Sequence, residues 1–317
     1  IVGTGGGVGA DIYIFDAKDN TMWMRFETGA GALDMYRNGA LTSIFALNGT
    51  IYYGDTSSGI PTINFIEDNG MTLWNTDTGR APYAGTISQR NDARTFNSGE
   101  ADTTLSLVQN AGNGVHAAVI DGKTFIAVAT NSGVSLINET DEYVIDYDVN
   151  SADNTYEIWL TEGGTLYYNL ATAQALNVFH NVHLDKADTT TGSADIVYDE
   201  SGTNVAGTGA SKTAIFTGAQ TISDVFVTEA SSFMDGISNT IYISHDAGLT
   251  KLSENSASST IASVKYYTHN YITEEMIGDI RGMWSFEAAT MFGDNSVKTN
   301  RLVATSLDTS DLVLGVR

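Results

Sequence analysis

Short apolar runs alternate along this chain with clusters of Gly, Asn, Asp and Ser. The runs are rich in Ile, Val, Tyr, Phe and Thr, and the 3.6-residue period of a helix is nearly absent. That is the signature of strands joined by tight turns. The pattern predicts strands at Asp11–Asp16, Thr21–Glu27, Leu41–Leu47, Thr50–Asp55, Thr124–Thr130 and Gly133–Asn138. It predicts others at Thr155–Leu160, Thr165–Leu170, Asp224–Glu229 and Thr240–Ser244. Several runs, such as DIYIFD, TFIAVAT and TIYIS, do not alternate cleanly between apolar and polar. A strand that is apolar on both faces must be covered on both, and with no helices to do this, sheets must cover sheets.

One unit recurs: apolar strand, Gly-containing turn, apolar strand, short turn, Gly-led strand. It runs over Ser43–Asn75, His116–Tyr147, Tyr156–Phe179 and Asp224–Tyr267. Three of the units place Asn48-Gly49, Asp121-Gly122 and Gly163-Gly164 between their first two strands. Such dipeptides favour hairpin turns that match strand twist. The expected fold is all-β, a β-propeller of about five four-stranded antiparallel blades, with six or seven as the alternative; a sixth blade would come from Thr189–Gly218. The ring is expected to close through both chain ends, with Ile277–Phe286 completing the blade of Asp11–Glu27. Residues 1–10 then read as a flexible leader or linker, 11–287 as the propeller, and 288–317 as a linker or the start of a following module.

Composition narrows the function. The 317 residues include 38 acidic and 15 basic side chains, for a formal net charge of −23. Such a field repels phosphate backbones and anionic membrane surfaces, so nucleic-acid partners and membrane insertion are not expected. It suits a saline or marine setting, where charge is screened. There are no cysteines, which removes disulfides, zinc–thiolate sites and thiol catalysis. No apolar run approaches the ~20 residues of a membrane-spanning helix. The opening at Ile1 reads as part of a longer protein or as a processed chain.

The motifs with chemical potential are few. Ser244-His245-Asp246-Ala247-Gly248-Leu249-Thr250 has the spacing of the Asp-box turn of sialidase-like propellers, with Lys251 where an aromatic is expected; Asp68-Asn69-Gly70-Met71-Thr72-Leu73-Trp74 is a looser version. Both read as turns. Gly3–Gly9 is glycine-rich but precedes a strand and opens no helix, so it does not read as a phosphate loop. His180 and His183 lack a third metal ligand. The acidic pairs Asp141-Glu142 and Asp185/Asp188 lack the spacing of a calcium loop and read as solvated charge. Arg80, Arg90 and Arg94 share the long loop Asn75–Ala101, and a sialidase-type site would need three arginines converging on a carboxylate. Tyr36, Trp74, Tyr83, Trp159, Tyr167, Tyr168, Tyr266, Tyr267 and Tyr271 read chiefly as packing, with sugar stacking the alternative. No catalytic, cofactor-binding or metal residue is nominated, and no cofactor is expected.

The ordered set IFDAKDNTMWMRF, SIFALNGTIYYGDTSSGIPTINFIED, ISQRNDARTF, TFIAVATNSGVSLI, ISHDAGLTKL and MIGDIRGMW resembles a propeller module of large appendage proteins of tailed, especially marine, bacteriophages. The resemblance spans about Asp11 to Trp284 and offers no catalytic residues. It implies a structural or adhesion module of a virion tail fibre or related appendage. Its partners would be other virion proteins, further copies of itself, and host-surface glycans. Two alternatives stand beside it: a secreted glycan-active enzyme of sialidase-like type, and a bacterial surface propeller for protein contacts.

Overall fold

The computed structural model describes residues 1–3, 11–27, 35–36, 40–74, 79–92, 94, 96, 102–148, 154–171, 175–185, 187–190, 194–198, 210–212, 222–229, 237–246, 248–255, 262–268 and 280–286. The described residues form five β-sheets. The first holds β1 (Val2–Gly3), β2 (Asp11–Phe15) and β3 (Met22–Glu27). The second is a meander of β4 (Leu41–Leu47), β5 (Thr50–Asp55), β6 (Ile60–Asn64), β7 (Asn69–Leu73) and β8 (Arg80–Pro82). The third begins with β9 (Gly112–Ile120), β10 (Lys123–Thr130), β11 (Gly133–Asn138) and β12 (Tyr143–Asp148). The chain then lays down β13 (Ile158–Leu160), β14 (Leu166–Leu170) and β15 (Ala175–Phe179) of the fourth sheet. It returns to the third with β16 (Thr189–Thr190), parallel to β12, before adding β17 (Ile196–Tyr198) and β18 (Ala210–Lys212) to the fourth.

The fifth sheet belongs to a second compact unit, made chiefly of the residues after Ser211. Its order is β19 (Ile222–Glu229), β20 (Ile237–His245), β21 (Gly248–Asn255), β22 (Ala262–Thr268) and β23 (Ile280–Phe286).

All ten predicted strands exist, several with the predicted ends. The turn chemistry explains two hairpins directly. Asn48 and Gly49 have φ of 49° and 80°, and Asp121 and Gly122 have 51° and 77°. Two successive positive φ values are what a type I′ turn requires. Gly163-Gly164 behaves differently: the turn spans Thr161 to Thr165, closed by the Thr161 amide donating to the Thr165 carbonyl at 2.9 Å.

The expected four-stranded antiparallel arrangement is present in β4 to β7, β9 to β12 and β19 to β22, and each of these sheets adds a fifth strand at one edge. Three other expectations need correction. Ile280–Phe286 pairs with β22, not with the sheet of Asp11–Glu27, since Trp284 registers against Val264. The first sheet takes its third strand from Val2–Gly3, inside the expected leader, with Val2 opposite Tyr13. Thr189–Gly218 builds no sixth sheet among the described residues; its strands extend the third and fourth. Residues 288–317 lie outside the described residues.

Within the first unit the sheets stack face to face in chain order, and the period-2 geometry of strands makes this visible. In β5, Ile51 and Tyr53 pack with Ile12, Phe26 and Tyr36 of the first-sheet side, while Tyr52 packs with Val115, Ile126 and Val128 of the third sheet. In β10, Phe125, Ala127 and Ala129 turn the other way, onto Leu166, Tyr168 and Phe179 of the fourth. Strands β5, β11, β14 and β15 are therefore buried along their whole length. The first strands adjoin: β4 and β5 lie on β9, and β9 lies on β13. The second unit shows the other pattern in its opening strand, where β19 buries Ile222, Val225 and Val227 and exposes Phe226 between them.

Candidate functional site

The residues singled out in the sequence take the following places where they are described. Ser244 and His245 end β20 and Gly248, Leu249 and Thr250 open its partner β21, with Gly248 at φ 137° and the His245 Nε2 2.9 Å from the Thr250 hydroxyl. Lys251 sits over the Tyr242 ring at 5.5 Å. Asp68, at φ 55°, turns β6 into β7 and accepts the Ile87 amide at 3.0 Å. Of the glycine-rich opening, Gly3 belongs to β1 and residues 4–9 lie outside the described residues.

His180 and His183 use separate partners. The His180 Nδ1 is 3.3 Å from the Thr165 hydroxyl, and the His183 Nε2 is 3.5 Å from Asp121. The acidic loop is a latch, not solvated charge: Asp185 accepts the Tyr147 hydroxyl at 2.8 Å, and Asp188 accepts the Asp146 amide at 3.0 Å. Asp141 pairs with Lys123 at 2.6 Å, and Glu142 with Arg80 at 2.8 Å.

The three loop arginines do not converge. Arg80 meets Glu142 and, at 3.8 Å, Asp102. Arg90 donates to the carbonyls of Arg25 and Ile87 and lies over Phe26. Arg94 donates to the Ala84 carbonyl. Among the described residues no group of three His, Asp or Glu side chains is placed to hold a metal ion.

Of the aromatic set, Tyr36, Tyr83, Tyr167 and Tyr168 are buried and pack between sheets. The side chains of Tyr266, Tyr267 and Tyr271 lie outside the described residues. Trp159 has a role that sequence reading missed. The His116 ring is held between Phe45 of β4, centroids 4.0 Å apart, and Trp159 of β13, 4.1 Å apart. Three first strands thus meet through three rings. His116 is 7% exposed, and the Leu160 amide donates to its Nδ1 at 3.4 Å. The proton therefore sits on Nε2, which is buried without a hydrogen-bond partner. Burial lowers the imidazole pKa to about 4, so the ring is neutral at neutral pH.

Among the described residues, two surface features are open to a ligand. The first is an aromatic platform. Trp23 of β3 is 63% exposed, with its indole stacked on Phe65 at 5.7 Å. It borders a shallow apolar hollow of about 330 Å³ that also involves Ile14, Leu47, Asn48 and Gly49. Ile66, 77% exposed, lies beside it, its side chain close over Gly49. Trp23 lies in a predicted strand, and its sequence context MWMRF gives no sign that its ring faces solvent.

The second is a polar cleft of about 290 Å³ between the second and third sheets. It is lined by Thr50, Thr62, Thr124 and Thr140, by Asn64 and Asn69, by Met71, and by the charged residues Glu67, Glu139 and Arg80. Tyr52 donates to the Glu139 carboxylate at 3.3 Å. Burial raises the Glu139 pKa above the usual carboxylate value. Asn69 donates to Glu67 at 3.1 Å, which fixes the orientation of its amide, and its Oδ1 is buried without a hydrogen-bond partner.

No known protein-family profile matches the chain, and no curated protein does. Among solved structures it is similar to that of U3-55K, at TM-score 0.41 and 8% identity over 83% of each chain. It is similar also to the WD40 repeats of RRP9, at TM-score 0.41 and 8% identity over 83% of this chain and 82% of that one.

Proposed function

We propose that this chain is a propeller-type binding module, the adhesion or structural module of a phage virion appendage, that contacts host-surface glycans. The sheets described above would stand radially, as blades. Stacking in chain order, adjoining first strands and strands buried on both faces support that reading. The observation that carries the binding role is Trp23. A large ring held against Phe65 and left open to solvent is a ready stacking surface for the apolar face of a sugar. Weak single contacts of this kind become useful when an oligomer repeats them. The appendage assignment rests on the ordered resemblance between Asp11 and Trp284. A glycan array probed with multimerised protein tests the binding role: selective retention of host glycans, lost in Trp23→Ser, is expected, and a blank array would reject it. Mass spectrometry of purified particles tests the location, and absence of the chain from particles would reject that.

A further inference from the structure

The polar cleft is a second open feature among the described residues of the first unit, and its chemistry is specific. We propose that it is a binding slot for a single non-acidic pyranose unit, recognised by Glu139 and Asn69. The inference rests on the binding-module reading and deepens it by naming a sugar class and a second contact point.

Four observations carry it. Nearly every lining group is a hydrogen-bonding one, with Met71 the exception. Sugar hydroxyls each donate and accept, so they match a mixed wall of hydroxyls, amides and carboxylates. The recognition carboxylate is positioned from below: Tyr52, buried in the core, donates to one oxygen of Glu139, which lines the cleft. A positioned acceptor loses less on binding than a mobile one. Asn69 lines the cleft as well, and its amide is oriented by the bond it donates to Glu67. The volume, about 290 Å³, lies at the small end of ligand pockets, ~300 Å³ upward.

Charge selects the sugar. Glu67 and Glu139 line the cleft, and the one cation among the described lining residues, Arg80, is already paired with Glu142 and lies near Asp102. The local balance is negative, so a uronate, sialate or sulfated sugar is repelled. A neutral hexose is accepted, and a hexosamine gains from its ammonium group beside Glu139.

The slot and the Trp23 platform flank the same hairpin, because Thr50 borders both. They lie on opposite faces of the second sheet, so one glycan would have to pass over the Asn48–Thr50 turn to use both.

Saturation-transfer NMR on the whole chain tests the slot, using methyl glycosides of a neutral hexose, of glucosamine and of glucuronic acid. The neutral and amino glycosides should show transfer and the glucuronide none. Glu139→Ala and Asn69→Ala should each weaken binding about tenfold. Thr140→Trp, at an exposed lining position, should block the slot while leaving the circular dichroism unchanged. Equal transfer to the glucuronide, or undiminished transfer in a folded Thr140→Trp variant, would overturn the slot. Array binding lost in Trp23→Ser but untouched by Thr140→Trp would sink the slot and leave the binding module standing. Glycoside binding that Thr140→Trp blocks, beside absence of the chain from particles, would uphold the slot and sink the appendage assignment.

Discussion

The imidazole of His116 and the indole of Trp159 lie with centroids 4.1 Å apart and planes tilted by 37°. They come from the first strands of the third and fourth sheets, and Phe45 of the second sheet closes the stack from the other side. A neutral ring is what this position accepts. Protonation would place a charge between two apolar rings, with Nε2 unable to reach a partner.

That arrangement makes the fold acid-sensitive in a defined window. The imidazole pKa falls from 6.5 unfolded to about 4 folded, so the unfolded chain binds the extra proton between those values. Stability contributed by the neutral ring is complete above pH 6.5 and is lost as pH falls towards 4, to a total of about 3 kcal/mol. His245, lowered by burial, acts in the same direction, while Glu139, raised by burial, acts in the opposite one. The difference between wild type and His116→Phe isolates the ring. Melting temperatures of the two, compared from pH 7 to 4, should diverge, with the wild type falling more steeply.

Two glycines separate backbone conformation from space. Gly122 has φ 77° and nothing within 4 Å of where a Cβ would stand, whereas Gly59 has φ 72° and would place a Cβ against the Leu73 carbonyl. Gly122→Ala should cost about 1 kcal/mol, the left-handed penalty alone. Gly59→Ala should cost several-fold more, because the Gly59 amide also donates to the Asn110 carbonyl at 2.7 Å and the turn cannot move freely. Urea midpoints of the two variants measure the contrast.

Tyr147 and Asp185 form a latch between the third sheet and the segment leading to β16. Tyr147→Phe leaves the packing and removes the bond to a carboxylate, and should cost about 1.5–3 kcal/mol. Hydrogen exchange should quicken first in Thr189–Thr190 and the facing end of β12. Uniform acceleration across all sheets would show that the latch is not local.

Trp23→Ser should cost no more than about 0.5–1.5 kcal/mol, the worth of its stack on Phe65, because the ring is mostly exposed. Thermal melts of the two proteins make the comparison. A large drop would mean that the indole serves packing against Phe65 rather than a ligand.

The parts legible in the sequence are local ones. Asn48-Gly49 and Asp121-Gly122 announce their hairpins because two adjacent residues alone must take positive φ. The apolar character of both faces of Thr124–Thr130 announces that β10 is covered twice, and Ile126 and Phe125 do pack on different sheets. TIYIS is less telling: Ile241 and Ile243 are buried while Tyr242 is only half so. The edge strands escape a sequence reading. Arg80–Pro82 and Thr189–Thr190 are too short to carry an apolar run, and their pairing depends on where the chain returns, which no local pattern encodes. Pro82 is tolerated because β8 is an edge. The surface features escape it for a related reason. Met22, Trp23 and Met24 look alike in a run, and only the stacked neighbour decides which ring faces outward. Glu139 and Asn69 belong to different sheets, so their convergence is a product of packing.

The return of β16 to the third sheet has a consequence for how such a chain can change over time. Three strands of the fourth sheet are laid down before the third acquires its last edge. Neither sheet is a contiguous stretch of sequence. The third and fourth sheets can therefore be duplicated, lost or transplanted intact only together, and any gain or loss of repeats at this point would proceed in twos.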